Sequence, residues 1–383
     1  MRLQKILVVG SGAIAMATAI LLDSLSNVEV VLVANENNEP VNKATPERCF
    51  AMSKGSISVL KKAGLWDRLS PLVFSFSTIR VTGKSSSDQD CTLDIDAQDF
   101  GETHLGCILR ETILLDVLFS KLENLNVKRK NIPYLDKQNN TIKPLLTEYD
   151  LTIVADGRAE ELIKWVSPKQ SIKTYNETAL VCDVYTSTPL KPVAMQNFTS
   201  YGPLALLPSS QNSYSLVWSL ENQKFTDLID WGDDELIKFL NDTFGGGIPP
   251  IKELSKRSSF PLFRYHAEQY FREKCVLIGD AAHRIHPLAG QGLNLGFADL
   301  MALYNTLLAT NHRDWMLSET KMLKRYECER RKENTKVIIF TDLVDKIFRR
   351  NHSIANHLLS LSNNSMIKKM MVNQAFGSKN KLN

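Results

Sequence analysis

The hexapeptide Gly10-Ser11-Gly12-Ala13-Ile14-Ala15 limits what this chain can fold into more than any other stretch. It follows KILVV, a short continuous apolar run of the kind that forms a strand buried on both faces. It opens AIAMATAILLDSL, which reads as a helix, and VEVVLVA after it reads as a second strand. Strand, glycine turn, helix and strand make a βαβ unit, and such a unit needs a parallel sheet. In the pattern G-x-G-x-x-G/A the first glycine allows the tight turn. The second lets backbone approach a diphosphate, and the small third residue lets helix pack on strand. Gly10, Gly12 and Ala15 fill these places. The helix N-terminus behind them offers free N–H groups and the positive end of a dipole to an anion. The acid that usually grips ribose at the end of the second strand is missing: the run ends at Ala34, and Glu36 is the nearest substitute.

A second glycine-rich stretch, GDAAHRIHPLAGQGLNLG, follows the apolar run CVLI. Asp280, after Gly279, stands where a strand ends and can accept hydrogen bonds from the hydroxyls of a sugar chain. Gly290, Gly292 and the helix beginning near Gln291 supply another N-terminus with bare N–H donors, which suits negative charge developing on a ring. One cofactor with a diphosphate, a polyol chain and a ring that turns anionic explains both stretches. A reduced flavin fits; a nicotinamide alone needs no second glycine-rich end. The competing metal reading takes Asp280, His283 and His286 as D-x-x-H-x-x-H, but Pro287 and the glycines have no place in a metal site, and no metal is expected. The plainer reading of His283 and His286 is packing or capping.

The remaining chain reads as α/β, then β, then α/β, then helix. FSTIRVTGKSSSDQDCTLDID suggests an antiparallel hairpin, ETILLDVLFSKLENL a helix, and YDLTIVADG a buried strand ending at Asp156-Gly157. From about 175 to 265 short β-like segments dominate. The fold class expected is α/β: a Rossmann-like domain from 1–75, 99–175 and 268–335, an inserted antiparallel β-sheet domain from 76–98 and 176–267, and a C-terminal helical tail at 336–383. A length of 383 residues allows one large domain or two to three smaller ones. A net charge of +4 gives no reason to expect nucleic acid. Six scattered cysteines without C-x-x-C spacing suggest free thiols in a reducing compartment. The start, MRLQK before an apolar run, has a signal-peptide look, but Gly-Ser-Gly breaks it at strand-to-helix spacing.

VLIGDAAHRIHPLAGQGLNLGFADLMAL resembles the ubiquinone-biosynthesis hydroxylases, a branch of the para-hydroxybenzoate-hydroxylase-like FAD monooxygenases. The resemblance extends to RCFAMSKGSISVLKKAGLWDRL, to GPLALLP with SYSLVWSL, and to SSFPLFRYHAEQYF, and so spans nearly the whole chain. It implies an FAD-binding domain with an inserted sheet over the flavin. It also implies NAD(P)H and O2 as co-substrates and ring hydroxylation of a polyprenylated phenol. By matching position, Gly10, Gly12 and Ala15 hold the diphosphate. Arg48 and Arg110 contact FAD phosphate or ribose, and Asp156-Gly157 helps handle FAD and NAD(P)H. Asp280 takes the ribityl–diphosphate region, and Pro287, Gly290, Gly292, Leu293 and Asn294 line the ring. Trp218, Leu204 and Leu206 roof the substrate cavity or, alternatively, form core. No general base stands out; His286 is the weak candidate.

The chain departs from the family at its middle motif, Asp-Gly-x-x-Ser-x-x-Arg. Asp156-Gly157 is kept, but the serine and arginine are gone, so reduction by NAD(P)H is in question. Two other readings therefore stay open: a non-catalytic FAD-binding subunit of a ubiquinone-synthesis complex, and a flavin reductase of lipid double bonds. Residues 321–383 carry 14 lysines and arginines against 5 acids. Apolar residues at helical spacing between them suit either packing on the core or contact with anionic lipid. The location expected is cytoplasmic, with peripheral attachment at the inner membrane face and contact with ubiquinone-synthesis proteins as its extension.

Overall fold

The computed structural model describes residues 3–34, 47–84, 90–131, 147–286, 291–311 and 318–350. Glu36, Pro287 and Gly290 lie outside them.

Strands Gln4–Val9, Val28–Ala34, Lys128–Asn131, Leu151–Val154 and Cys275–Leu277 form a parallel sheet. Phe271–Arg272 adds an antiparallel edge, and the spatial order is 271–272, 275–277, 151–154, 4–9, 28–34, 128–131. The first strand thus sits mid-sheet, which is why its inner residues Ile6, Leu7, Val8 and Val9 are all fully buried. Helix Ala13–Leu22 buries all ten of its residues. It is apolar all round because the sheet covers one side while helices Glu111–Leu122 and Gln291–Asn311 pack on it from others.

The inserted sheet has nine strands, in the order 283–284, 258–267, 170–186, 213–221, 202–208, 193–199, 78–84 and 90–96, with 251–254 also paired to 170–186. Its joints are antiparallel except for a parallel one between 193–199 and 78–84. A third sheet of three strands joins Cys49–Met52, Gly106–Arg110 and Phe74–Phe76.

Alternation along the inserted strands decides what each face does. Tyr214, Leu216, Trp218 and Leu220 pack with Leu228, Leu236 and Leu240 of helices Asn222–Ile229 and Asp233–Phe244. Ser215, Val217 and Ser219 take the other face, opposite Asp183, Val181 and Ala179 in register. That second face is turned to the parallel-sheet domain, since Asp183 bonds Arg110 and Glu177 bonds His286 across the seam.

The last described helix, Thr320–Arg350, runs without interruption through the expected tail boundary at 335/336, and strand Gln170–Thr186 likewise crosses 175/176. Tyr326 Oη donates to Leu277 O at 3.0 Å, and Glu327 accepts from Tyr270 N at 2.8 Å. Asp342 receives Tyr175 Oη at 2.6 Å and Arg264 Nη1 at 2.7 Å. The helix is therefore tied to both domains. Among the described residues no helix is long and apolar enough to cross a membrane.

Candidate functional site

Strands 4–9, 151–154 and 275–277 are neighbours and parallel, so the loops that follow them must emerge along one edge. Those loops carry Gly10-Gly12, Asp156-Gly157 and Gly279-Asp280. Gly10 has φ +141°, and a Cβ there would meet Ala15 Cβ at 3.0 Å and Asp156 Cβ at 3.3 Å, so the turn needs glycine for both conformation and space. Gly279 has φ +58°. Ile14, from the first turn of helix 13–22, wedges against Gly279 and Gly296: a Cβ on Gly296 would lie 2.9 Å from Ile14 Cδ1. The two glycine stretches, some 270 residues apart in sequence, are thereby in contact.

Gly12 and Gly292 are different. A Cβ on either meets nothing within 4 Å. Gly12 caps helix 13–22 with no side-chain hydrogen bond and no acid in the first turn, and Gly292 lies in the first turn of helix 291–311, which also has no acid there. Packing does not require these glycines, and the open space at each leaves backbone accessible to a ligand. The starts of two helices of 10 and 21 residues, in contact through Ile14 and without acids in their first turns, together with the exposed carboxylate of Asp280, fit a diphosphate, a polyol and a ring.

Each remaining candidate has a definite place. Asp280 is 59% exposed, and its charge reaches Glu111. Burial raises the Glu111 carboxyl above its usual value; Arg48 opposes this, and Glu47 and Asp280 add to it. Arg48 is 65% exposed and 3.8 Å from Glu111 Oε1, so its guanidinium is open to the same space. Arg110 is committed elsewhere: Nη1 donates to Glu47 Oε2 at 3.0 Å and to Asp183 Oδ2 at 3.1 Å, and Nη2 to Ser209 Oγ at 3.3 Å. Asp156 Oδ1 accepts from Arg158 N at 2.8 Å. Leu293 is half-buried against the core. Asn294 staples the second helix start to the strand and turn at 51–53. Its Oδ1 accepts from Ser53 N at 2.9 Å and Ser56 Oγ at 2.7 Å, and its Nδ2 donates to Ala51 O at 2.8 Å.

The two histidines part company. His283 Nε2 lies 2.6 Å from Asp299 Oδ2, whereas His286 Nε2 lies 3.1 Å from Glu177 Oε2 on the inserted sheet. Asp280, His283 and His286 therefore do not converge on one point, and no group of three metal-ligating side chains is found among the described residues. His286 is buried, edge-on to Tyr175 at 5.0 Å, and its Nδ1 has no partner.

Trp218, Leu204 and Leu206 do not roof the site. All three are fully buried on the outer face of the sheet, Trp218 stacked on Phe239 at 5.0 Å. Alternation along strand 213–221 turns Ser215, Val217 and Ser219 to the opposite face from Trp218 instead.

Several residues carry more than their motifs suggested. Asp299 is fully buried and accepts from Gly279 N at 3.0 Å, Arg330 Nε at 2.7 Å and Asn334 Nδ2 at 3.1 Å as well as from His283. Burial would raise its carboxyl, but His283 and Arg330 outweigh this and hold it well below the usual carboxylate range. The available signal was a lone acid in the apolar helix FADLMALYNTLL and Arg330-Asn334 at i, i+4 spacing. Glu177 and Asp183 had no sequence signal.

A family model described as "FAD binding domain" matches residues 150–341, half of the chain. The chain belongs to this family of FAD-binding-domain proteins. Among curated proteins, this FAD-binding-domain chain is 27% identical over 405 aligned positions to the mitochondrial ubiquinone biosynthesis monooxygenase of Xenopus tropicalis, covering 90% of this chain and 86% of the other. The human protein of the same name is 28% identical, with 81% and 76% covered. Among solved structures, p-nitrophenol 4-monooxygenase from Pseudomonas putida superposes with a TM-score of 0.71 at 15% identity, covering 99% of this chain and 100% of that one. Klebsiella pneumoniae HpxO, complexed with FAD and uric acid, gives 0.71 at 15% identity, with 97% and 96% covered. At that identity the structural likeness speaks to the fold.

Proposed function

We propose that this protein is an FAD-dependent monooxygenase that hydroxylates the aromatic ring of a polyprenylated phenol in ubiquinone biosynthesis, with NAD(P)H and O2 as co-substrates. The observation that carries the reading is the meeting, through Ile14, of two helix starts that each hold a glycine no packing demands, on the sheet edge that also carries Asp280. The substrate class comes from the relatives named ubiquinone biosynthesis monooxygenases.

FAD, when bound, supplies the redox and oxygen chemistry. The chain supplies position, charge and dryness. Gly10, Gly12 and the start of helix 13–22 take the diphosphate on free amides, with Ala15 keeping the helix close to its strand. Arg48 neutralises phosphate from the open side. Asp280 accepts from the ribityl hydroxyls. Gly292, Leu293 and Asn294, with Pro287 and Gly290 beside them in sequence, present the second helix end to the ring. Ser215, Val217 and Ser219 leave room for a phenol above it, and the surrounding sheet keeps water out. The hydrogen bond of His286 Nε2 to Glu177 and the unpartnered Nδ1 support this ring as the acceptor of the phenol proton. On helix 320–350, exposed Ile339 and Leu343 near exposed Lys336 and Lys346 suit a lipid surface, where such a substrate resides.

The decayed Asp156-Gly157 motif favours one other reading, a non-catalytic FAD-binding subunit. A single experiment separates them. The FAD-loaded protein is mixed anaerobically with NADH or NADPH and a prenylated phenol, flavin absorbance is followed, and after air is admitted the product is weighed. Bleaching followed by a gain of one oxygen atom supports the enzyme. FAD uptake without bleaching supports the subunit, and a colourless protein that takes up no FAD removes both.

A further inference from the structure

Strand His283–Arg284 pairs with Tyr265 and His266 and carries the chain from the Asp280 turn into the inserted sheet. His283 points into the core toward Asp299, so the next side chain leaves on the opposite face. Arg284 keeps 32% of its side chain exposed. Its guanidinium lies over Gly157: a Cβ on that glycine would run into Nη2 and stand 3.0 Å from Cζ and 2.9 Å from Asp280 O. On another side the guanidinium carbon is 5.4 Å from the centroid of the Phe263 ring. The nearest acid is Asp280, with Oδ2 3.8 Å from Nε, too long for a hydrogen bond. Among the described residues Arg284 makes no hydrogen bond.

Packing rather than hydrogen bonding therefore fixes this cation. A planar guanidinium held between a glycine backbone and an aromatic ring, with its N–H edge unspent, is prepared for a bidentate phosphate contact. It also explains Gly157. That glycine has no left-handed backbone to require it; what it lacks is the Cβ that would meet both the carbonyl of Asp280 and the guanidinium of Arg284. The motif that begins at Asp156-Gly157 carries Glu160 and Ile163 where its serine and arginine would stand, and a cation from a different loop lies over Gly157.

We propose that Arg284 is a phosphate-binding residue that takes the diphosphate of a dinucleotide, with Gly157 as the residue that makes room for it. The nicotinamide dinucleotide is the favoured source, because the free helix end at Gly12 already offers FAD an anion site, and Arg284 stands at the seam with strand 258–267 instead. This inference rests on the function proposed above.

The test compares wild type with Arg284→Met, Arg284→Lys and Gly157→Ala, each checked by its melting curve. NAD+ and NADP+ binding to the FAD-loaded protein is measured by calorimetry, and FAD binding to the apoprotein by fluorescence quenching. Arg284→Met is expected to weaken both nicotinamide dinucleotides about tenfold or more, and alike, because the diphosphate is common to them. Arg284→Lys recovers part of the loss, and Gly157→Ala, which presses on both Arg284 and the Asp280 carbonyl, lowers the same affinities without removing a charge. A comparable loss in FAD affinity alone assigns the same contact to the FAD diphosphate. Changes below twofold for every dinucleotide, in folded variants, overturn the proposal. A wild type that takes up no FAD yet binds NAD+ through Arg284 sinks the proposed function and spares this inference. A wild type that binds FAD and a nicotinamide dinucleotide, both with affinities that Arg284→Met leaves unchanged, does the reverse.

Discussion

The carboxylate of Asp299 and the imidazole of His283 are 2.6 Å apart with neither side chain more than 1% exposed. The same oxygen, Oδ2, accepts the amide of Gly279, while Oδ1 takes Arg330 and Asn334. Helix 291–311 thus grips the turn that presents Asp280, and helix 320–350 neutralises the grip.

Asp299→Asn keeps the shape but leaves Arg330 buried beside an amide. Loss of one partner from a buried ion pair costs about 3–5 kcal/mol. Urea unfolding is expected to show that loss, and FAD affinity of the folded fraction to drop because the Gly279 turn is no longer held. An unchanged midpoint contradicts the account.

The two glycines of the first turn predict opposite phenotypes. Gly10→Ala places a Cβ 3.0 Å from Ala15 Cβ at φ +141°, so the protein is expected to express poorly or melt early. Gly12→Ala has an ordinary backbone, φ −82°, and open space. It is expected to melt within a few degrees of wild type while FAD binding weakens at least tenfold, about 1.4 kcal/mol. Fluorescence titration of FAD with each variant checks the contrast.

Trp218 and Val217 are neighbours in sequence on opposite faces. Trp218→Ala is expected to cost about 3–5 kcal/mol of stability, as for other large core truncations. Its folded fraction keeps the KM for the phenol. Val217→Phe should raise that KM with little change in melting temperature. If the KM responds to Trp218 and not to Val217, the assignment of the faces to function is wrong.

His266 supplies the pH dependence. Burial lowers its pKa from the usual 6.5 to about 4, aided by His283, Arg331 and Arg264 and opposed by Asp299. The folded state favours the neutral ring, and the unfolded chain takes up the proton near 6.5. This contribution to stability is full above about 6.5 and declines as pH falls toward about 4, where it is flat again. His266→Asn is expected to shallow the loss across that window in denaturant titrations at stepped pH. A parallel curve for the variant removes His266 as the cause.

Glu177→Gln is expected to keep the fold and FAD affinity, lower kcat for hydroxylation about tenfold or more, and leave the rate of flavin reduction unchanged. Stopped-flow reduction beside steady-state turnover separates the steps. Equal slowing of both would mean that the pair with His286 only holds the domains together.

Local pattern was enough for much of this molecule. The apolar runs at 4–9, 28–34, 151–154 and 275–277, with glycine after three of them in the loops, dictate a parallel sheet whose loops share an edge, because parallel neighbours end on the same side. The glycine pattern at 10–15 likewise specified a turn that no other residue at Gly10 could make. Alternation told which inserted-sheet residues share a face, but not which face meets the flavin domain; layer order decided that, and placed Trp218 outside. Glu177 with His286, Asp299 with Arg330 and Gly157 with Arg284 lie 109, 31 and 127 residues apart. Such pairs are made by packing between elements, where desolvation turns an ordinary acid or arginine into a positioned one. Only the tertiary structure creates that environment.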